Sequence, residues 1–432
     1  MAWIKSTVFI LVVAMLSLPA VQKAFKIFPT TALEGYFVPS SRQVFSLASF
    51  STGEYQQKMT PHLDRTIGFH NELTRLFNQC DFSLFSIPHA ARIIVGKDNC
   101  LQADYHIDAY LGRDFIGKRF IDDKVARLKF LQDWLWKKKG IRLLVIIAPG
   151  KGFYYPEAIP GRFLKGKRGI TNNDYYAQRM VENGVNLIDF NRWMVSLKDT
   201  SRNILYPKTG VHWSTYGAFL CADSLTRYLE VKLGRAVPHV VLDSLVHEPV
   251  ARRSDNDMYR VLNLMCAIGG PVMTYPVFHH EYSDTLPKPS ALFISDSFYW
   301  NWHDNGIIKN TFRCEEMWYY DKEVYPMQRI RHTNTALIDL DQAVSRQDVI
   351  ILLETNAGYG NPGFGFIDRA YEYYYPGKTR IKQLEEGFRA NPEMMDLLRK
   401  KAREQNLPLD AVMLTDAIYV YNNELKRIST HN

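Results

Sequence analysis

The chain has 432 residues, 46% of them apolar and 23% charged, enough to bury a large core and too apolar for a disordered polymer. Its formal charge of +8 is modest, and the bases sit in short groups such as Lys137 to Lys139 and Lys165 to Arg168. These read as solvated helix ends and loops. No basic stripe is interleaved with a nucleic-acid reading motif, so that function class is disfavoured. Five cysteines cannot all pair within one chain, and their spacings match no zinc pattern.

In chain order, Lys5 precedes an uncharged stretch from Ser6 to Gln22 with an apolar centre from Val8 to Leu16. That is a positive n-region before an apolar h-region. The run is slightly short of a full span of about 20 residues, and no small-x-small cleavage site or lipobox cysteine follows. It reads as a signal anchor over residues 1–23, with a cleaved signal as the alternative. Either sends the rest of the chain across a membrane. Residues 24–84 read as a stem and a helical segment: extended over 24–60, with Pro29 and Pro39, then an amphipathic helix around Asn71 to Asn78.

Val125, Leu128, Leu131 and Leu135 recur at helical spacing over 124–139, and Gly140 stops that helix. Ile141 to Ala148 is a short apolar run of the kind parallel sheets bury on both faces. Residues 186–190, 291–294 and 348–353 read as further strands, and 335–340 as an edge strand or a strand-to-helix step. Ser214 is placed to cap a helix running to about Glu230. Cys221 and Cys266 read as small buried hydrophobes, and a Cys80–Cys100 disulfide is conceivable. Strands alternating with helices predict an α/β sandwich with a mostly parallel sheet over 85–365. The tyrosine-rich and then charged segment 366–432 reads as a C-terminal helical extension.

Two short motifs carry chemistry. Ser297 follows the apolar run Ala291 to Ile294, so its hydroxyl is held rigidly at a strand's carboxyl end. An Asp-Ser pair alone is weak, and a turn or cap is the plain reading. His212, in Gly210-Val211-His212-Trp213-Ser214, precedes a helix start and has a pKa suited to taking a serine proton. A lone histidine there is more often structural. Both motifs fall at strand ends or helix starts of what should be one sheet edge, so each strengthens the other.

His212-Trp213-Ser214-x-x-Gly217 ahead of a strand ending in Asp296-Ser297-Phe298 resembles the SGNH-hydrolase-like family of alginate O-acetyltransferases (AlgX/AlgJ-like). Ile94-Val95-Gly96-Lys97-Asp98, Pro149-Gly150-Lys151 and Tyr155-Pro156-Glu157 extend the resemblance, which covers about 85–360. It implies an SGNH-like three-layer sandwich and the acetylation of an exported polysaccharide in the periplasm. A membrane-bound O-acyltransferase would deliver the acetyl group. By residue-wise carry-over, Ser297 is the nucleophile and His212 the general base. The family's Asp-x-His-Trp motif would place its acid at 210, where this chain has Gly210. Three outcomes follow: a Ser-His dyad oriented by a backbone carbonyl, an acid from elsewhere (Asp189, Asp255, Asp257 or Asp304), or a catalytically dead protein.

Asn356, Lys151 and Trp213 are the candidate oxyanion or substrate contacts, with the Ser297 amide as the first oxyanion donor. Asn356 reads equally as a loop residue, Lys151 as a surface lysine and Trp213 as a packing wall for the histidine. Asp296 is expected to bond loop amides. Most of Trp300, Trp302, Trp318 and Tyr319 should be core, with one or two lining a glycan groove. The expected activity is an O-acyltransferase that passes through an acetyl-serine and needs no metal or organic cofactor. Its rivals are an acetyl esterase using the same residues and a non-catalytic glycan-binding scaffold.

Overall fold

The computed structural model describes residues 2–35, 41–281, 286–314, 316–326, 333–375 and 377–429. Its centre is a seven-stranded sheet. In chain order the strands are β1 (Arg142–Ala148), β2 (Leu187–Asp189), β3 (Ala291–Ser295), β4 (Glu316–Tyr319), β5 (Glu323–Pro326), β6 (Thr333–Asn334) and β7 (Val349–Thr355). The spatial order is β6-β5-β4-β3-β7-β1-β2. From β4 through β2 every pairing is parallel, and β5 and β6 add an antiparallel edge.

The apolar runs make central strands because alternate residues have a core on each side. Leu144, Ile146, Phe293, Ile351 and Leu353 face one cluster, which the helices Phe190–Leu197, Thr215–Leu233 and Tyr299–Asp304 complete. Leu143, Val145, Ile147, Leu292, Ile294, Ile350 and Leu352 face the other, under the helices Lys118–Lys139, Asn172–Glu182 and Phe366–Tyr374. The helix ending at Lys139 stops at Gly140, which takes a left-handed conformation (φ 69°) that a side chain would disfavour. This is the expected α/β sandwich.

Several expectations change. Residues within the expected extended stem form the helices Leu47–Ser51 and Glu54–Thr66, and Pro39 lies outside the described residues. The amphipathic helix runs from His70 to Phe85. The N-terminal helix, Ala2–Phe25, is longer than the uncharged stretch implied. Its segment Trp3–Phe25, with mean hydropathy 2.1 over its most apolar 18-residue window, is long and apolar enough to cross a membrane. Residues 335–340 form a helical turn leading into the helix Leu340–Ser345, the strand-to-helix step. The charged tail is three helices, broken at Asn391-Pro392 and again after Gln405, around a small core of its own that includes Phe388, Leu398 and Met413.

The cysteines are all free thiols. Cys80 is exposed and Cys100 buried, and no disulfide joins them. Cys221 is buried as expected. Cys266 is exposed instead, because its short apolar stretch lies in a surface loop.

One element escaped the sequence reading. His239–Glu248 and Met273–Glu281 pair as a long antiparallel ribbon beside the helix Thr215–Leu233. The connection between its strands, residues 249–272, returns to the carboxyl edge of the main sheet.

Candidate active site

The parallel strands put their carboxyl ends on one edge, and the candidate residues fall just beyond them. Ser297 lies two residues past β3, Gly150 and Lys151 just past β1, and Asn356 directly after β7. The Asp296 carboxylate accepts from the Phe298 amide (2.9 Å) and the Thr355 amide (2.7 Å). It therefore ties the Ser297 turn to the end of β7, the loop-bonding role expected of it. Burial pushes its carboxyl up to about 6, against the pull of the two amides.

The loop carrying His212 is fixed at nearly every peptide. Lys208 O accepts from Leu101 N (2.9 Å) and Thr209 O from Tyr259 N (3.0 Å), while the Tyr206 hydroxyl donates to Val211 O. Ser214 then caps its helix, accepting from Gly217 N at 2.9 Å. So held, the imidazole meets two partners. His212 Nε2 lies 2.8 Å from Ser297 Oγ, and His212 Nδ1 lies 2.7 Å from Asp257 Oδ2. The other Asp257 oxygen accepts from Val211 N (2.8 Å) and Met258 N (2.7 Å).

An ionised carboxylate can only accept, so Asp257 holds the proton on Nδ1 and leaves Nε2 free to accept from the serine hydroxyl. Burial pulls the His212 pKa down, but the charge and hydrogen bond of Asp257 outweigh it, and the net shift is upward. Burial would raise the Asp257 pKa; His212 and the Val211 amide reverse that, and the net shift is downward. The arrangement has the connectivity of a Ser-His-Asp triad.

Asp257 is one of the four acids that sequence alone left unranked. The structure gives the other three different work. Asp189 caps the helix after β2, accepting from Arg192 N at 2.8 Å. Asp255 is buried and accepts from Thr215 N at 3.0 Å. Asp304 pairs with His303. At Gly210 the neighbouring chain leaves a side chain only tight space. A Cβ there would lie 3.0 Å from the carbonyl carbon and oxygen of Asp255 and 3.0 Å from Pro207 Cγ. The missing side chain lets the segment bearing Asp257 close on the histidine loop.

Two of the candidate contacts lie in the interior. Lys151 reaches no cleft: it is 0% exposed, and its ammonium donates to Lys208 O (2.8 Å) and Gly210 O (2.6 Å). Trp213 is equally buried, against Phe298 and Trp302 at ring distances of 5.3 and 5.0 Å, as expected of a packing wall. Asn356 is buried beside Gly150, and neither atom of its amide has a hydrogen-bond partner among the described residues. Trp302 and Trp318 are core. Trp300 and Tyr319 are half-buried and meet each other and Tyr325 in an aromatic cluster. A cavity of about 750 Å³ beside β2, lined by Tyr110, Phe153, Asn173 and Asp189, includes neither Ser297 nor His212. The candidate residues are brought together by hydrogen-bond geometry and not by this cavity.

Residues 114–275 match the model of the SGNH hydrolase-like domain of acetyltransferase AlgX. That matched segment, which this chain shares with the family as a likeness, holds both His212 and Asp257. Among solved structures, it is similar to the O-acetyltransferase domain of Pseudomonas putida AlgJ at 15% identity, over 65% of this chain and 99% of that one, with a TM-score of 0.43. It is also similar to Pseudomonas aeruginosa AlgX (15% identity, 67% and 71%, TM-score 0.41) and to Bacillus cereus PatB1 (12%, 57% and 93%, TM-score 0.36). No curated protein matches the chain.

Proposed function

We propose that this protein is an O-acetyltransferase acting on an exported or cell-surface polysaccharide, with Ser297 as nucleophile, His212 as general base and Asp257 as the acid that orients it. The observation that carries this reading is the unbroken line Asp257–His212–Ser297, with contacts of 2.7 and 2.8 Å. A scaffold that only binds glycan has no need of that alignment, so the geometry speaks against the non-catalytic rival. The choice of acetyl rests on the acetyltransferase model matched over 114–275, and polysaccharide on the family the motifs resemble.

In this mechanism His212 takes the Ser297 proton as Oγ attacks the acetyl carbonyl. The same imidazole then protonates the leaving group, and the acetyl-serine remains. A sugar hydroxyl, deprotonated by His212, attacks the acetyl carbonyl; the bond to Ser297 Oγ breaks, His212 returns the proton to that oxygen, and the sugar ester leaves. Asn356, with an amide unspent on any other bond, is the side-chain donor for the oxyanion, alongside the Ser297 amide. The N-terminal helix anchors the domain at the periplasmic face of the inner membrane, where a membrane-bound O-acyltransferase supplies acetyl groups.

The test is mass spectrometry after incubation with an activated acetyl ester. A single acetyl adduct on Ser297, absent in Ser297→Ala, with transfer to an added oligosaccharide, is the expected result. Release of acetate at the same rate from Ser297→Ala would overturn the assignment. Turnover to free acetate with no transfer to any glycan would make it the esterase.

A further inference from the structure

Among the described residues, Lys151 presents a buried charge with no carboxylate in bonding contact, which the acyl-transfer chemistry leaves unexplained. Its ammonium spends two donors on Lys208 O and Gly210 O, and the remaining approaches are to Met258 Sδ at 3.9 Å and the Tyr206 ring centroid at 5.8 Å. Taking an ammonium out of water is costly when no anion pairs with it. A methionine or leucine would fill the same space without that cost, so packing alone does not account for it.

Both carbonyls belong to the turn before His212, and one of them closes a chain of contacts. Gly210 O and Val211 N–H are the two ends of a single peptide group. Lys151 holds the oxygen at 2.6 Å, and Asp257 Oδ1 accepts from the N–H at 2.8 Å. The second Asp257 oxygen holds His212, which faces Ser297. The Lys151 backbone is itself anchored, its N–H donating to His106 Nδ1 at 2.9 Å.

We infer that Lys151 is a positioning residue: it fixes the Gly210–Val211 peptide, through which Asp257 and His212 are aligned on Ser297. This rests on the acyl-transfer reading for its consequence, though not for its geometry. Where an acid at 210 would hold the imidazole directly, this chain holds the peptide at 210 from below with a cation and supplies the acid from a distant loop. Burial draws the Lys151 pKa down to about 8, with Cys100 and Asp257 opposing, so the group is largely charged at neutral pH.

The test compares Lys151→Met with the full-length wild type by turnover of an activated acetyl ester and by the low-field proton resonance of the His212–Asp257 hydrogen bond. The expected result is a folded variant with kcat reduced tenfold or more, KM unchanged, and the resonance lost or broadened. Should Lys151→Met not fold, Lys151→Gln, whose neutral amide nitrogen keeps N–H donors for the two carbonyls but not the charge, is measured instead and is expected to lie between. A folded variant of either kind with wild-type turnover and resonance overturns the assignment. Failure of both to fold also overturns it, since the lysine would then serve the fold and not the histidine. If the wild type shows no turnover at all, the catalytic reading fails, while the resonance still reports whether Lys151 sets the His212–Asp257 contact.

Discussion

Asp257 and His212 are 45 residues apart in the chain and 2.7 Å apart in the fold, joined across the loop that connects the two strands of the ribbon. The same carboxylate accepts from the amide of Val211, the residue before the histidine. Asp257 thus fixes both the ring and the backbone that carries it. Replacing it with asparagine or alanine should lower kcat/KM for an activated ester by about 10²- to 10⁴-fold. Asp189→Asn should leave turnover within about threefold, since that carboxylate works as a helix cap of modest energy. Steady-state kinetics on the two variants checks the assignment.

The pH profile follows from the same pair. His212 acts as a base only when neutral, and its pKa is raised above the ordinary 6.5 by Asp257 despite burial. Activity should therefore rise with pH, with a midpoint above 6.5. In Asp257→Asn the carboxylate charge is gone and burial remains, so the midpoint should fall. A midpoint in the variant equal to or higher than the wild type's would contradict the proposed electrostatics.

Restoring an acid at 210 should not help. Gly210→Asp places its Cβ 3.0 Å from the Asp255 peptide carbonyl and disturbs the carbonyl that Lys151 holds. We expect a lowered Tm and reduced turnover, measured by thermal melting and ester hydrolysis. A fully active Gly210→Asp would mean that the loop tolerates either source of acid.

Asn356→Ala tests the oxyanion role separately from stability. The amide has no hydrogen-bond partner to lose, so unfolding free energy should change little, while kcat should fall by about 10²- to 10³-fold. Gly150→Ala should act on the same residue from behind, because its Cβ would overlap Asn356 Oδ1 at 1.7 Å. Kinetics paired with denaturant melts separates the two effects.

Trp213→Ala should do the opposite. The ring is fully buried against Phe190, Phe298 and Trp302, and its removal should cost about 3–5 kcal/mol of stability. Denaturant melting measures it directly.

The stretches from Ile141 to Ala148, Ala291 to Ile294 and Asp348 to Leu353 determine the central sheet from sequence alone, because a short apolar run between helices has one economical place to go. Ser297 and His212 were legible for a related reason: each sits where a strand ends or a helix begins, and local pattern marks such points. The ribbon over 239–281 was missed, since it packs outside the βαβ alternation that organised the reading. The stem's helices were missed because scattered serines and prolines outweighed a weak amphipathic pattern.

What only the tertiary structure decided is which acid meets His212 and what surrounds Lys151. Asp257 shows nothing locally that Asp189, Asp255 and Asp304 lack; a loop closing over 45 residues selects it. Whether a lysine is solvated or sealed under a loop depends on what packs above it, and that is a property of distant chain segments. Gly210 belongs to both halves: sequence marked the absent acid, and packing against Asp255 supplied the reason for it.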